Sequence, residues 1–249
     1  MRAPHPNTEK QLARSVAAEG GRDWPEIKKM VEQSCSKVAR AAEAAVMHGL
    51  GVSAFQRGKT EAALNFMSRA CAHPEAPAVW HRNHAEILDR CGKAEAAEAA
   101  ARLALLRDPN CAAAWDTLGT ILVQRDRYAE SCACYEKAIE IESNFVQALN
   151  NLAVTLDRLG RRQAAEAHYR RLLPLAPENS EIRLNLATLL GELGHYQEGL
   201  EIVHEVLARR PDLTRAHSIA AEFKRKLKQH AKLEKKKSAR APRALSASP

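Results

Sequence analysis

The sequence has few aromatic residues and no long hydrophobic run. Aromatic side chains make up 4% of the 249 residues, although 45% of the residues are of hydrophobic type. Small apolar side chains favour closely packed helices over an aromatic-rich sandwich or barrel. No apolar run approaches the roughly 20 residues that cross a bilayer, and the amino terminus has no apolar core of the signal-peptide type. We therefore predict a soluble, cytoplasmic protein without a transmembrane segment.

The sequence also lacks the motifs of common catalytic sites. It contains no GxxxxGK[ST] phosphate loop, no GxSxG elbow and no HExxH pair. Its six cysteines form no CxxC motif and are interpreted as reduced packing residues. His81 and His84 have the i, i+3 spacing of some helical metal ligands, but no third ligand lies near them in the sequence. We expect no enzyme activity, no cofactor, and packing roles for both histidines.

Positive charge is concentrated near the carboxyl end. The formal net charge is +8, yet residues 224–243 alone hold ten Lys or Arg against one acid, Glu234. The rest of the chain is therefore close to neutral. The sequence predicts a neutral body followed by a basic tail.

What the sequence does contain is an internal period of 34 residues. Positions 8 and 20 of the period hold small residues, position 15 holds glycine in four repeats of five, and position 32 holds proline in three. Small residues let two helices approach closely, glycine ends the first helix and proline ends the second. Each repeat is therefore an antiparallel helix pair, and stacked pairs bury a continuous core. The period runs without a gap through 44–77, 78–111, 112–145, 146–179 and 180–213, called repeats 1 to 5.

The repeat resembles the tetratricopeptide repeat (TPR) over 170 of the 249 residues. The resemblance implies an all-α fold, a right-handed superhelical solenoid of about five helix pairs with flanking helices. It also implies a scaffold or adaptor that binds a peptide or helix of a partner protein in a concave groove. The match is fullest in repeat 3, at Trp115, Leu118, Gly119, Ser131, Tyr135 and Ala138.

The segments before the repeats are less regular. Residues 1–23 are predicted to be partly disordered, with a short helix over 9–19 that follows a capping-box pair at Thr8 and Gln11. Residues 24–43 are predicted to form a leading helix or a degenerate repeat.

The segments after the repeats change from apolar to basic. Residues 214–237 are predicted to form a capping and basic helix, and 238–249 a disordered tail. The early turns of the helix carry apolar residues that suit the open end of a stack, namely Ala216, Ile219, Ala220 and Phe223.

The inner faces of the first helices line the groove in TPR proteins, and here one position repeats an amide. Position 6 of repeats 2, 4 and 5 is Asn83, Asn151 and Asn185, with Thr117 in repeat 3. An amide both donates and accepts, so such a column can hydrogen-bond an extended peptide backbone. The column resembles the asparagine ladder of O-linked N-acetylglucosamine transferases, but it is also common in ordinary bacterial TPR proteins, and both interpretations stay open. The predicted groove residues are Arg82, Asn83, Glu86, Asp116, Thr117, Asn150, Asn151, Arg158, Asn185 and Thr188.

Two alternatives to a simple scaffold follow from the sequence. The first is a substrate-recruiting TPR component of a glycosyltransferase system that lacks its own catalytic domain. The second is a tether that contacts nucleic acid or anionic lipid weakly through the basic tail, against the simpler interpretation of a solubilising terminus. The chaperone-type clamp is disfavoured, because no repeat supplies its Lys-x3-Asn element. The tail residues concerned are Lys224, Arg225, Lys226, Lys228, Lys232, Lys235, Lys236 and Lys237.

Overall fold

The computed structural model describes residues 24–240, with the side chains of residues 26–233 except those at 27, 28 and 31. Within that part of the chain all regular structure is helical, in eleven helices and without a strand. The all-α prediction is confirmed. The predictions for residues 1–23, and for the tail beyond residue 240, lie outside the described residues.

The helices divide between two bodies. The N-terminal body, residues 24–107, holds α1 to α4, and the C-terminal body, residues 108–240, holds α5 to α11. The first four helices are α1 (Trp24–Gln56), α2 (Thr60–Cys71), α3 (Ala78–Arg90) and α4 (Ala94–Arg107). The others are α5 (Ala112–Gln124), α6 (Tyr128–Ile141), α7 (Val146–Arg158), α8 (Arg162–Leu175), α9 (Ser180–Glu192), α10 (Tyr196–Arg209) and α11 (Thr214–Arg240).

Position 15 forms the turn inside every helix pair. Gly58, Gly92, Gly160 and Gly194 have φ between 72° and 84°, the left-handed conformation that glycine adopts without steric cost. In repeat 3 the same conformation is taken by Asp126, at φ 57°, and its carboxylate accepts a hydrogen bond from the Tyr128 hydroxyl at 2.6 Å. The turn therefore survives the loss of glycine, because aspartate tolerates this region better than most residues.

Small residues allow close packing inside each pair. Gly119 at position 8 faces Tyr135, and a Cβ built on this glycine would lie 2.6 Å from the tyrosine Cε1 atom. In repeat 4 the small residues at positions 8 and 20 are Ala153 and Ala165, both fully buried. Within each body the paired helices bury their apolar faces against each other and against the neighbouring pair, as expected for a stacked repeat.

The structure differs from the predicted boundaries at both ends of the repeat array. The leading segment 24–43 is not a separate element, because α1 runs unbroken from Trp24 to Gln56. No proline or glycine lies between Glu26 and His48, so nothing in that stretch ends the helix. At the other end α11 continues to Arg240, past the predicted end at 237.

The first turns of α11 cover the last helix pair of the C-terminal body. Ala216, Ala220 and Phe223 are buried in one cluster with Leu184 of α9 and Val203 of α10. Beyond Leu227 the described residues of α11 are exposed, so only its first half contributes to the core.

Candidate partner-binding surface

The repeated asparagines form hydrogen bonds to neighbouring repeats. The Asn151 amide donates to Asp116 Oδ1 at 2.9 Å, and Asn83 Nδ2 lies 3.0 Å from His48 Nε2. In both contacts position 6 of one repeat meets position 5 of the preceding repeat, 35 residues earlier. All three asparagines are half-buried. The asparagine column is therefore part of the packing between repeats as well as a polar surface.

In the N-terminal body Asn83 lies in a small polar and aromatic cluster. The His48 ring stacks on Trp80, with 5.1 Å between ring centroids and 12° between planes. Arg82 donates to the Asn83 carbonyl oxygen and lies 3.7 Å from the Glu86 carboxylate. Burial and the Arg82 charge lower the pKa of His48. Both ends of the Asn83 amide are thus engaged within the body, whereas half of the Glu86 side chain is exposed.

In the C-terminal body the predicted residues differ in accessibility. Asp116 is 3% exposed, so it supports Asn151 and is not available to a partner. The hydroxyls of Thr117 and Thr188 donate to the carbonyl groups four residues earlier, both at 2.8 Å. These threonines keep only acceptor capacity for a ligand.

The remaining predicted groove residues lie on α7 and α9. Asn150 is half-buried, and its side-chain oxygen is buried without a hydrogen-bond partner. Arg158 is exposed, with its guanidinium carbon 6.0 Å from the centre of the Tyr128 ring. Asn185 accepts a hydrogen bond from Arg215 at 2.9 Å.

Two arginines that sequence reasoning did not select connect this surface. Arg215, at the start of α11, donates to both Glu181 and Asn185. It lies 34 residues after Glu181, at the position that would be position 2 of a sixth repeat. The period of the sequence could therefore have identified Arg215 as a residue of this surface. Arg162 lies 2.8 Å from Glu192 and 3.8 Å from Asp157. Burial and the nearby Glu192 raise the pKa of Asp157, and Arg162 opposes that effect.

A cleft of about 360 Å³ lies where α9, α10 and α11 meet. Its lining combines the predicted groove residue Thr188 with the aromatic rings of Tyr196 and Phe223 and with the charged side chains Glu192 and Lys226. Tyr196 also contacts the His230 ring edge-on at 5.7 Å. The cleft offers apolar and charged contacts side by side.

The predicted basic tail residues do not share one environment. Lys224, Arg225, Lys228 and Lys232 are exposed, whereas Lys226 is half-buried in the cleft. With 3.6 residues per turn, the four exposed cations occupy an arc of about 100°, and we call this set the basic stripe. The buried Phe223 lies on the opposite face. The side chains of Lys235, Lys236 and Lys237 lie outside the described residues.

The two histidines flagged in the sequence lie apart from this surface. His81 is 2% exposed, and His84 Nε2 lies 3.2 Å from the Ser68 hydroxyl. Burial lowers the pKa of both rings. Among the described residues no group of three or more His, Cys, Asp or Glu is arranged to hold a metal ion. Nor is any helix between residues 24 and 240 long and apolar enough to cross a membrane.

Helix pairs with a left-handed turn residue at position 15 and interlocking small residues define an all-α repeat solenoid. Tetratricopeptide repeat family models match residues 110–178 and 158–223. Residues 110–223 are therefore tetratricopeptide repeats, and the predicted resemblance to this family is confirmed over that range. No curated protein matches the sequence.

Several solved TPR structures resemble this fold. PilF of Pseudomonas aeruginosa superposes with a TM-score of 0.64 at 20% identity, over 77% of this chain and 93% of that one. A thermophilic TPR protein of Thermus thermophilus, TTC0263, gives 0.56 at 20% identity, over 72% and 98%. YrrB, a TPR protein with an unusual peptide-binding site, gives 0.58 at 16% identity, over 69% and 89%. At these identities the similarity shows the fold alone.

Proposed function

We propose that this protein is an interaction scaffold that binds an extended peptide, or a helix of a partner protein, across the first helices of its repeats. The TPR fold supports a protein-interaction scaffold in general. The observation that favours this particular surface is the set of polar side chains on α7 and α9 that are held in place by neighbouring repeats.

The two position-6 amides of the C-terminal body each use one end for a contact within the protein. Asn151 donates to Asp116, and Asn185 accepts from Arg215. An amide has two donors and two acceptor sites, so the Asn151 oxygen and the Asn185 nitrogen retain capacity for a peptide backbone. Because the side chains are already held, their ordering adds little to the entropic cost of binding. YrrB supports the choice of a peptide as the partner class, since it shares the fold and has a peptide-binding site.

The test must alter this surface while keeping the hydrogen bonds that Asn151 and Asn185 make to Asp116 and Arg215. A triple variant, Arg158→Ala, Asn185→Asp and Thr188→Val, keeps the oxygen that accepts from Arg215 and leaves the Asn151–Asp116 bond intact. The control variant, Lys137→Ala with Gln163→Glu, makes the same charge change on exposed residues of the second helices α6 and α8.

Capture of partner proteins by the immobilised full chain is compared by mass spectrometry. We expect the triple variant to lose partners that the wild type and the control variant both retain. If the triple variant captures the same proteins as the wild type, this surface is not the binding groove.

A second candidate function is a weak contact of the basic stripe with polyanions, and the arrangement of its four cations on one exposed face favours it. Replacing Lys224, Lys228 and Lys232 by Glu should weaken binding to a DNA duplex or to anionic vesicles, and should lower the slope of log affinity against log salt by about 3 for the duplex. Substitution is preferable to truncation, because Leu227 packs on the core. Equal retention by wild type and variant would leave the stripe as a solubilising surface. The glycosyltransferase alternative stays a prediction from the sequence.

A further inference from the structure

Helix α1 carries an exposed apolar stripe that starts before repeat 1 and continues into it, where Ala45 and Gly49 occupy positions 2 and 6. Cys35, Val38, Ala42, Ala45 and Gly49 follow one another at spacings of three, four, three and four residues, and all five are exposed. Val38 is 68% exposed, and Val46 beside the stripe is 59% exposed. This spacing is the a/d seam of a coiled coil, in which apolar residues recur on average about every 3.5 residues. We call these five residues the α1 seam.

The seam lies on the side of α1 that faces away from its own helix pair. Ala44, Gly51 and Ala54 are buried on the opposite face of α1, and a Cβ built on Gly51 would lie 3.1 Å from the Met67 side chain of α2. The packing face and the seam are therefore separated by about half a turn of helix.

Comparison among repeats shows that this end of the stack is open. Leu152 and Leu186, at position 7 of repeats 4 and 5, are at most 1% exposed, but Leu50 at the same position of repeat 1 is 44% exposed. Position 7, which is buried in repeats 4 and 5, is therefore exposed in repeat 1, about a quarter turn around α1 from the middle of the seam. Covering an apolar helix face with another helix lowers the free energy, because apolar surface is removed from water.

We propose that the α1 seam pairs with the α1 seam of a second copy of this chain, with the two helices antiparallel. The size of the side chains supports self-pairing. In an antiparallel pair, the seam residues at heptad position a of one helix face those at position d of the other. Val38 of one copy then lies against Gly49 of the other, and Ala42 lies against Ala45. A Cβ built on Gly49 meets no atom within 4 Å, so there is room for the valine. The pairing is the same in both directions, as an isologous two-fold interface requires.

The positions that flank the seam carry no formal charge. Two copies therefore approach without like-charge repulsion, and no charged group at these positions is removed from water. The flanking e and g positions between residues 34 and 48 are Ser34, Ala39, Ala41, Val46 and His48.

A second copy of α1 matches the seam over its full length, because both copies carry the same residues from Cys35 to Gly49.

The expected interface is small. From Cys35 to Gly49 the seam spans about 21 Å, and most of its side chains are short. Interfaces of this size are at the weak end of specific association, so we expect a dimer with a dissociation constant in the range of about 1–100 μM.

Sedimentation velocity of the full chain over about 1–300 μM, which brackets that range, tests the proposal. Val38→Glu places a charge on the seam, and Gln33→Glu makes the same charge change at an exposed position on the far side of α1. Wild type and Gln33→Glu should shift from monomer to dimer over this range, whereas Val38→Glu should stay monomeric. A wild type that stays monomeric, or a Val38→Glu variant that dimerises like the wild type, overturns the proposal.

Disulfide trapping tests the antiparallel register. Two chains are made with Cys35→Ser, one with Val38→Cys and the other with Gly49→Cys. In the proposed register residue 38 lies beside residue 49 of the other copy and about 16 Å along the axis from residue 38. The mixture should therefore form a crosslinked dimer under oxidation, and neither chain alone should do so. Crosslinking of each chain with itself would indicate a parallel pair and overturn the proposed arrangement. Dimerisation seen only after deletion of residues 1–23 would assign the seam to the upstream segment instead.

Discussion

Replacing Asn151 by Ala tests whether the asparagine column stabilises the repeat array. The substitution removes the amide donor that lies 2.9 Å from Asp116 Oδ1, and the Asp116 residue is 3% exposed. Water therefore cannot readily replace the lost donor. A hydrogen bond to a charged group contributes about 1.5–3 kcal/mol, so we expect the free energy of unfolding to fall by about 2 kcal/mol.

Asn185→Ala is the matched control at the same position of the next repeat. Its partner is the Arg215 guanidinium, and nearly half of the Arg215 side chain is exposed to water. Exposed pairs of this kind contribute about 0–1 kcal/mol. The two variants should therefore differ by more than about 1 kcal/mol.

Unfolding of the C-terminal body can be followed by Trp115 fluorescence in urea. The chain has three tryptophans, and Trp24→Phe with Trp80→Phe leaves Trp115 as the single reporter. Trp115 donates to the Pro109 carbonyl within the same body. The double variant Asp116→Ala with Asn151→Ala completes a mutant cycle, and we expect a coupling energy of about 1–2 kcal/mol. Equal losses for Asn151→Ala and Asn185→Ala, or a coupling energy near zero, would refute the reasoning.

Three further predictions concern packing, pH and cysteine accessibility. Gly119→Ala should lower the free energy of unfolding by about 1–3 kcal/mol, because its Cβ meets the buried Tyr135 ring. Gly49→Ala, with open space around its Cβ, should stabilise α1 by up to about 1 kcal/mol. Thermal unfolding of the two variants compares these effects. Burial lowers the pKa of His48, His81, His84 and His168, so the folded state disfavours their protonation and stability should fall as the pH drops below about 6.5. Urea unfolding at about pH 7.5 and 5.5, on either side of that value, measures this loss, which His84→Leu should reduce; an unchanged stability would contradict it. Cys35 is exposed while Cys132 and Cys134 are buried, and burial raises the pKa of Cys71 to about 12. Alkylation of the native protein, followed by peptide mapping, should therefore label Cys35 first. Faster labelling of Cys132 would contradict its buried placement.

The amino-acid sequence by itself determined the repeat and the fold class. The signals were local and periodic: a small residue at positions 8 and 20, a turn residue at 15 and a proline at 32, each with a direct effect on the backbone. Even the exception at Asp126 keeps the left-handed turn. Periodicity also selected the asparagine column, because a repeated register brings equivalent residues to equivalent places in the stack.

The roles of those residues were decided only by the tertiary structure. The sequence shows that Asn151 and Asn185 are equivalent in register, but not that one bonds a buried carboxylate and the other a half-exposed guanidinium. Those partners lie 35 residues before Asn151 and 30 residues after Asn185, and burial depends on how neighbouring helices pack. The exposure of the α1 seam likewise depends on which helices pack against α1. Local sequence sets where helices turn, whereas long-range packing sets which polar atoms are satisfied and which apolar faces stay open.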